Sequence, residues 1–338
     1  MAPPLVPEES VMDIATFPLT DPVVGAVQAA LFSGTSRAQT FSLEAKVMGT
    51  TARVTTVGGT ADLPSLMIGM LHQFDRQWSR FLIDSEISSL NNHPGQAVIV
   101  SPETRELVEV MLEGHRVSGG AFDPTLLPSL IAEGYAASLV NPSNITHIPA
   151  GVRRRGSPGE IQVSGDSITL PAGTTLDSGG AGKGFAADLV AQWARAHGAL
   201  GALVEVGGDL RVSGVSPRAD QWRLSIEHPD DPSTRLSVIE ISESGVATST
   251  ISKRRFVVEG RQTHHIIDPG TGRSSTSDVV QATVIAPRAS EAEIAAKIAF
   301  VRGAQELFNF AGAKNFQAAC VTKSGQWITT KGWPEADA

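Results

Sequence analysis

Two hydrophobic periods alternate along this chain. From Phe41 to Val57, apolar and β-branched residues alternate roughly with polar ones around Gly49, which predicts a hairpin or one long bent strand. Over Asp62–Trp78 the period changes. Leu63, Leu66, Met67, Met70, Leu71 and Phe74 recur at helical spacing, with Asp62 placed as cap and Pro64 in the first turn. Ser101–Val117 repeats the design: Ser101 caps, Pro102 opens the helix, and Leu107, Val108, Met111 and Leu112 share a face. Gly184–His197 carries Phe185, Leu189, Val190 and Trp193 on one stripe, closed by Gly198. Strands are predicted at Ala202–Val206, Trp222–Glu227, Leu236–Ile241, Phe256–Val258, His264–Ile267 and Val279–Ala286. Helices follow at Ser290–Val301 and Ala304–Phe310, then a strand pair over 318–328. These mixed runs lack regular β-α alternation, which predicts an α+β fold.

Composition narrows the picture. With 338 residues, 41% hydrophobic and 18% charged, the chain has an ordinary globular make-up. A formal charge of −8 argues against a nucleic-acid partner. The single cysteine, Cys320, excludes a disulfide framework, a zinc cluster and Cys-pair redox chemistry. No apolar run is long enough for membrane insertion. Residues 1–38 hold two proline clusters and a weak apolar stretch, Val23 to Leu31. They read as a poorly packed N-terminal arm, with at most one short helix, ahead of a single domain over 39–338. The arm begins without the basic residues of a secretory signal, and a cytoplasmic location is expected. Residues 141–160 read as a surface loop, with Arg153, Arg154 and Arg155 as its solvated tip.

Four clusters carry candidate chemistry. Asp177-Ser-Gly-Gly-Ala-Gly-Lys183-Gly-Phe-Ala-Ala-Asp188 is a glycine-rich turn feeding a helix, where free amides and the dipole suit phosphate. It lacks the glycine spacing and the Ser or Thr of a Walker loop. Gly182-x-Gly184-x-x-Ala187, with Glu205 beyond, loosely fits a dinucleotide fingerprint, but Pro171 and Gly173 interrupt the preceding strand. Thr263-His264-His265-Ile266-Ile267-Asp268-Pro269-Gly270 sets a histidine near a carboxylate at a strand end, the ingredients of an oriented base. Gly119–Thr125 presents Phe122 and Asp123 on a turn, and Ser85 with Ser88 or Ser89 reads as a helix cap. Each also has a plain structural explanation: glycines for packing, a satisfied histidine, a turn, a cap.

Taken in order, Met48-Gly49-Thr50, Ser85-Glu86-Ile87-Ser88 with Asn91, and Gly120-x-Phe122-Asp123-Pro124-Thr125 resemble the ApbE-type FAD:protein FMN transferases. The resemblance continues through Leu176-Asp177-x-Gly179-Gly180 with Lys183-Gly184, Val206-Gly207-Gly208-Asp209, Ala247-Thr248-Ser249 and His265-Ile266-Ile267-Asp268-Pro269-x-x-Gly272. It spans about residues 43 to 325. It implies a two-lobed single unit with the flavin nucleotide in the cleft. It also implies transfer of the FMN half of FAD to a Thr or Ser hydroxyl of an acceptor flavoprotein, with release of AMP. By resemblance, Met48, Phe81, Ala121, Phe122, Asp123, Asp177, Lys183 and Ile266 hold FAD, His265 with Asp268 activates the acceptor hydroxyl, and Gly180 with Glu293 binds Mg²⁺. The chain departs from the family at the metal: Glu293 and Lys297 stand where an Asp and usually a Thr are expected, and Thr250-Ile251 replaces Gly-Asp. Glu293 and Lys297 are spaced i, i+4, as in a plain helical ion pair. Alternatively, the Lys297 ammonium occupies the ion's place. An FAD-binding protein without transferase activity and an FAD pyrophosphatase stay open as alternatives.

Overall fold

The computed structural model describes residues 38–218, 221–231 and 233–336. The expected arm, apart from Ala38, and its short helix lie outside the described residues. The first elements are the hairpin β1 (Thr40–Val47) and β2 (Thr50–Val57), which turns at Met48 and Gly49, both at positive φ. α1 (Leu63–Trp78) follows. Asp62 stands at its N-cap but makes no side-chain cap bond, contrary to the expectation. α2 (Glu86–Asn92) is capped by Ser85, whose side chain accepts from the Ser88 amide. β3 (Ala97–Ile99) precedes α3 (Pro102–Val117), which Ser101 caps as expected. α4 (Leu127–Ala132) is too short for its pattern to be read. Residues 141–157 are irregular, and β4 (Gln162–Ser164) and β5 (Ser167–Thr169) join β3 in a small sheet.

α5 (Gly182–Ala196) leads into the strands β6 (Gly201–Val206), β7 (Asp209–Gly214), β8 (Trp222–Glu227), β9 (Arg235–Ile241) and β10 (Ser244–Thr250). Next come β11 (Arg255–Val258), β12 (Arg261–His264), β13 (Ile267–Asp268), β14 (Arg273–Ser274) and β15 (Val279–Ala286). α6 (Ala289–Arg302), α7 (Ala304–Lys314), β16 (Gln317–Thr322) and β17 (Trp327–Thr329) complete the fold. The main sheet has eight strands in the order β1-β2-β6-β7-β10-β15-β16-β17. Every neighbouring pair in it is antiparallel. That arrangement removes the dinucleotide-fold reading of Gly182–Ala187, which needs parallel strands joined by crossover helices. The architecture is α+β.

Two apolar clusters sit between this sheet and its helices. Trp78, Phe185, Leu71 and Met67 form one, where α1 packs on β1 and β2 and α5 on β6 and β7. Phe300, Ile298, Leu307 and Cys320 belong to the other, where α6 packs on β10 and β15 and α7 on β16. α6 is buried on almost all sides, and Ala289, Ala292, Ala295, Ala296 and Ala299 let it lie close to its neighbours. Burial of the Cys320 thiol pushes its pKa up to about 12, so it behaves as a small core residue.

The helices α5 and α6 cap one another. Asp188 of α5 accepts the amides of Ala289 (2.8 Å) and Ser290 (3.0 Å) at the start of α6. Glu293 of α6 accepts the amide of Gly184 (2.8 Å) at the start of α5. Each carboxylate satisfies donors that a helix start leaves without partners and faces the positive end of the dipole. Close approach depends on Gly184, because a Cβ there would lie 2.5 Å from the Ala289 carbonyl oxygen. Gly184→Ala is therefore expected to destabilise the protein by about 1–3 kcal/mol. Gly312→Ala, on α7 with open space around it, is expected to stabilise by about 0.5–1 kcal/mol. Denaturant midpoints of the two variants check both signs.

Candidate functional site

The start of α5, through Lys183, and the Glu293–Lys297 turn of α6 border a cleft of about 680 Å³, a volume suited to a small ligand. Its glycine-rich wall is set from behind. Asn91 clamps the chain before the loop, its amide nitrogen donating to the Leu176 carbonyl (2.9 Å) and its oxygen accepting from the Leu176 amide (2.7 Å). Ser178 donates to the Trp78 carbonyl (2.9 Å), and the Trp78 indole donates to Thr104 (2.9 Å). Asp177 lies 3.3 Å from the buried Arg80 guanidinium, which also stacks on Phe81 and Tyr135 at 4.2 and 4.6 Å from the ring centres. Gly180 has φ +94°, and a Cβ there would sit 3.2 Å from both the Lys297 stem and the Phe122 ring. Glycine is needed on both counts.

The charged floor follows from the mutual capping of the helices. Lys183 pairs with Asp209 and with Glu293 (3.0 Å). Lys297, one turn beyond Glu293, donates to the Ser249 hydroxyl (2.8 Å) and to the Glu293 carbonyl (3.0 Å). Burial pushes the Glu293 carboxyl up, but Lys183, Lys297 and the Gly184 amide outweigh it and hold it below its ordinary value. Both oxygens of Glu293 are engaged, one by Lys183 and one by Gly184. The described residues hold no group of three or more His, Cys, Asp or Glu able to bind a metal ion. Gly180 and Glu293 do not fit a divalent cation, because ammonium groups already occupy their surroundings. The helical-pair reading of Lys297 is corrected too, since its ammonium reaches the Glu293 main chain and not the carboxylate.

His265 lies on the cleft wall between β12 and β13, where the expected strand His264–Ile267 is broken. Its Nδ1 is buried without a hydrogen-bond partner. Burial, then the charges of Arg254, Lys297, His264 and Lys183, push its pKa well below the ordinary histidine value. The imidazole is neutral and able to accept a proton. Its neighbour His264 is satisfied structurally by the Ser275 carbonyl (3.0 Å) and the Ile266 amide (3.3 Å).

The cleft brings together Ala121, Phe122, Asp123, Asp177, Gly180, Lys183, His265, Ile266, Glu293 and Lys297. Three expected residues lie off its lining. Met48 belongs to the β1–β2 turn, donating its amide to Asp75 (2.9 Å), while Gly49 and Thr50 line the cleft. Phe81 packs behind Tyr135, with ring centres 5.7 Å apart. Asp268 accepts from the Gly270 amide (2.8 Å) and closes a turn, so it does not orient His265. Asp123 accepts from Thr125 and from Arg155 (2.6 Å). Arg153, Arg154 and Arg155 are exposed, as expected, and Arg155 in addition pins Asp123 from outside the cleft.

Sequence reasoning missed Tyr135, Asp209, Ser249, Arg254 and Glu133. Asp209 and Ser249 end two quoted motifs, a signal that they share one site, whereas Tyr135 and Arg254 sit in no periodic pattern. Glu133 holds the histidine strand. Its carboxylate takes two bonds from Arg261 (2.7 and 2.9 Å) and the Ser274 amide and hydroxyl, and its carbonyl takes the Thr263 hydroxyl. The Arg261 bonds, with those of Ser274, lower its pKa from about 4.5 to about 2.

The chain is similar to known proteins over most of its length. Residues 48–321 match the model of the ApbE family. A Treponema pallidum protein named FAD:protein FMN transferase is 29% identical over 299 residues, covering 80% of this chain and 81% of that protein. A Vibrio cholerae protein of the same name is 28% identical over 259 residues, covering 73% and 77%. Among solved structures, the Thermotoga maritima apbe protein superposes with a TM-score of 0.78 at 24% identity, covering 88% of this chain and all (100%) of that one. The Pseudomonas stutzeri flavinyl transferase ApbE, apo form, gives 0.75 at 25% identity, covering 90% and 100%.

Because the Glu133 carboxyl is depressed in the fold, its stabilisation is complete above about pH 4.5 and is lost as pH falls toward 2. Glu133→Gln is expected to cost about 1–2 kcal/mol at neutral pH and to flatten the stability profile across that window. Denaturation midpoints measured between pH 2 and 7 check it.

Proposed function

The chain belongs to the ApbE family, and from that premise we propose that it transfers the FMN half of FAD to a hydroxyl of an acceptor protein, releasing AMP. The observation that carries this reading is one cleft holding both a neutral histidine and ammonium groups at a glycine-rich helix start. Phosphoanhydride attack needs those two things: a proton acceptor and charge to meet the pyrophosphate. The acceptor oxygen bonds to the FMN phosphorus while the bond from that phosphorus to the bridging oxygen breaks. The electron pair departs with AMP, and the hydroxyl proton passes to His265. Thr or Ser is the fitting acceptor, since the neutral imidazole needs a hydroxyl proton to take.

In this reading Asp177, Lys183 and Ile266 hold the dinucleotide, with Ala121, Phe122 and Asp123 on the adenosine side. Met48 and Phe81 act from behind: Met48 fixes the turn that presents Gly49 and Thr50, and Phe81 backs Tyr135. Among the described residues no helix is long and apolar enough to cross a membrane.

Mass spectrometry of an acceptor protein incubated with enzyme and FAD tests the reading. The expected product is the acceptor plus FMN less water, with one AMP released per adduct. AMP and FMN released without an adduct would instead support pyrophosphate hydrolysis. His265→Ala is expected to slow transfer roughly 100-fold or more with FAD affinity little changed, and a near wild-type rate would remove His265 from the mechanism. The free enzyme's histidine titrates low, so the acid limb of kcat/KM is expected below pH about 6.5. Phosphate charge in the complex moves the limb of kcat upward.

A further inference from the structure

We propose that this protein meets the pyrophosphate of its dinucleotide with its own cations, Lys297 and Arg254, where a divalent ion would otherwise stand, and that binding needs no divalent metal. The proposal rests on the FAD reading above and concerns how that substrate is held.

The carboxylates beside Lys183 are already engaged. Glu293 gives one oxygen to Lys183 and the other to the Gly184 amide, and Asp209 is paired with Lys183. A hard cation takes oxygen ligands that carry lone pairs toward it. Here each Glu293 oxygen already accepts from a donor, Lys183 or Gly184, so a cation would have to displace or compete with both. The space between that loop and α6 is filled by Lys297, whose Cε would touch any Cβ at Gly180 and whose Nζ bonds Ser249 and the Glu293 carbonyl.

The charge count points the same way. Lys183 and Lys297 face Glu293 and Asp209, a balanced set of two cations and two anions. Arg254 then adds a cation that forms no ion pair among the described residues. It lines the same cleft, its guanidinium 5.8 Å from the Tyr135 ring centre. Its backbone has φ +53°, an uncommon conformation for a side-chain-bearing residue and of the kind retained at functional sites. A divalent ion brought here meets two ammonium groups and a guanidinium. A pyrophosphate at this floor meets Lys183, Lys297 and Arg254 beside the two carboxylates Glu293 and Asp209, and a guanidinium matches phosphate oxygens in a two-point fork.

Calorimetric titration of the full chain with FAD, in EDTA and in Mg²⁺, tests the idea. Affinities within about twofold of each other are expected. Arg254→Gln and Lys297→Met are each expected to weaken FAD roughly tenfold to a hundredfold, the scale of a lost charge-assisted hydrogen bond. Riboflavin, which lacks both phosphates, is expected to bind each variant as it binds wild type. If Lys297→Met fails to fold, Arg254→Gln on the partly exposed β10–β11 loop still decides the matter. Unchanged FAD affinity in Arg254→Gln, or a gain above tenfold on adding Mg²⁺ to wild type, overturns the proposal. FAD binding confined to the Mg²⁺ buffer overturns it while leaving the transferase reading intact. No FAD binding in either buffer overturns the transferase reading as well.

Discussion

The reciprocal capping of α5 and α6 is the constraint on which this site depends. Asp188 holds the start of α6, and Glu293 holds the start of α5. Glu293 is buried and Asp188 is largely shielded, so a lost partner at either is costly. The pair fixes the crossing, and the crossing brings Lys183 and Lys297 to one cleft floor. Gly184 makes it sterically possible, with the Ala289 carbonyl where its side chain would be. Structure and chemistry share the same atoms here: Glu293 is at once a helix cap, a counter-ion and the anchor of a cation cluster.

The cluster in turn sets the state of His265. Four positively charged or chargeable neighbours and burial keep its imidazole neutral in the free protein. Binding of an anionic dinucleotide opposes those charges, so affinity for phosphate and basicity of the histidine are coupled through one field. The site therefore becomes a better proton acceptor when substrate is present. The Glu133–Arg261–Ser274 network and the Asp268 turn hold the backbone on either side of the histidine without touching the cleft.

Much of this was legible in the chain. The helices Leu63–Trp78, Pro102–Val117 and Ala289–Arg302 have long apolar periods or caps, and their positions follow from them. β10 was not legible, though it lies mid-sheet between β7 and β15. It is built of small and hydroxyl residues, Ser-Gly-Val-Ala-Thr-Ser-Thr, because α6 lies tightly against it, so no alternation appears. The expected strand through His265 was wrong for a related reason: an apparent period of two crossed a bend that tertiary bonds to Glu133 impose. At the site, motif residues such as Asp177, Lys183 and His265 did converge. Asp268 looked like a partner for His265 by proximity in sequence, yet its carboxylate closes a local turn, a competition that spacing cannot reveal. Arg155 is exposed, as read, but its bond to Asp123 exists only because the loop folds back on the 121–125 turn, which spacing does not show.

The central claim is that this cleft holds FAD with its pyrophosphate against the glycine-rich start of α5 and the Lys297 turn of α6. A crystal structure of the protein soaked with FAD in the presence of EDTA tests it most directly. The account predicts pyrophosphate density between the Gly179–Gly180 loop, Lys297 and Arg254, with the FMN phosphorus facing His265. Density for FAD elsewhere on the protein, or a pyrophosphate turned away from Lys297 and His265, would contradict it.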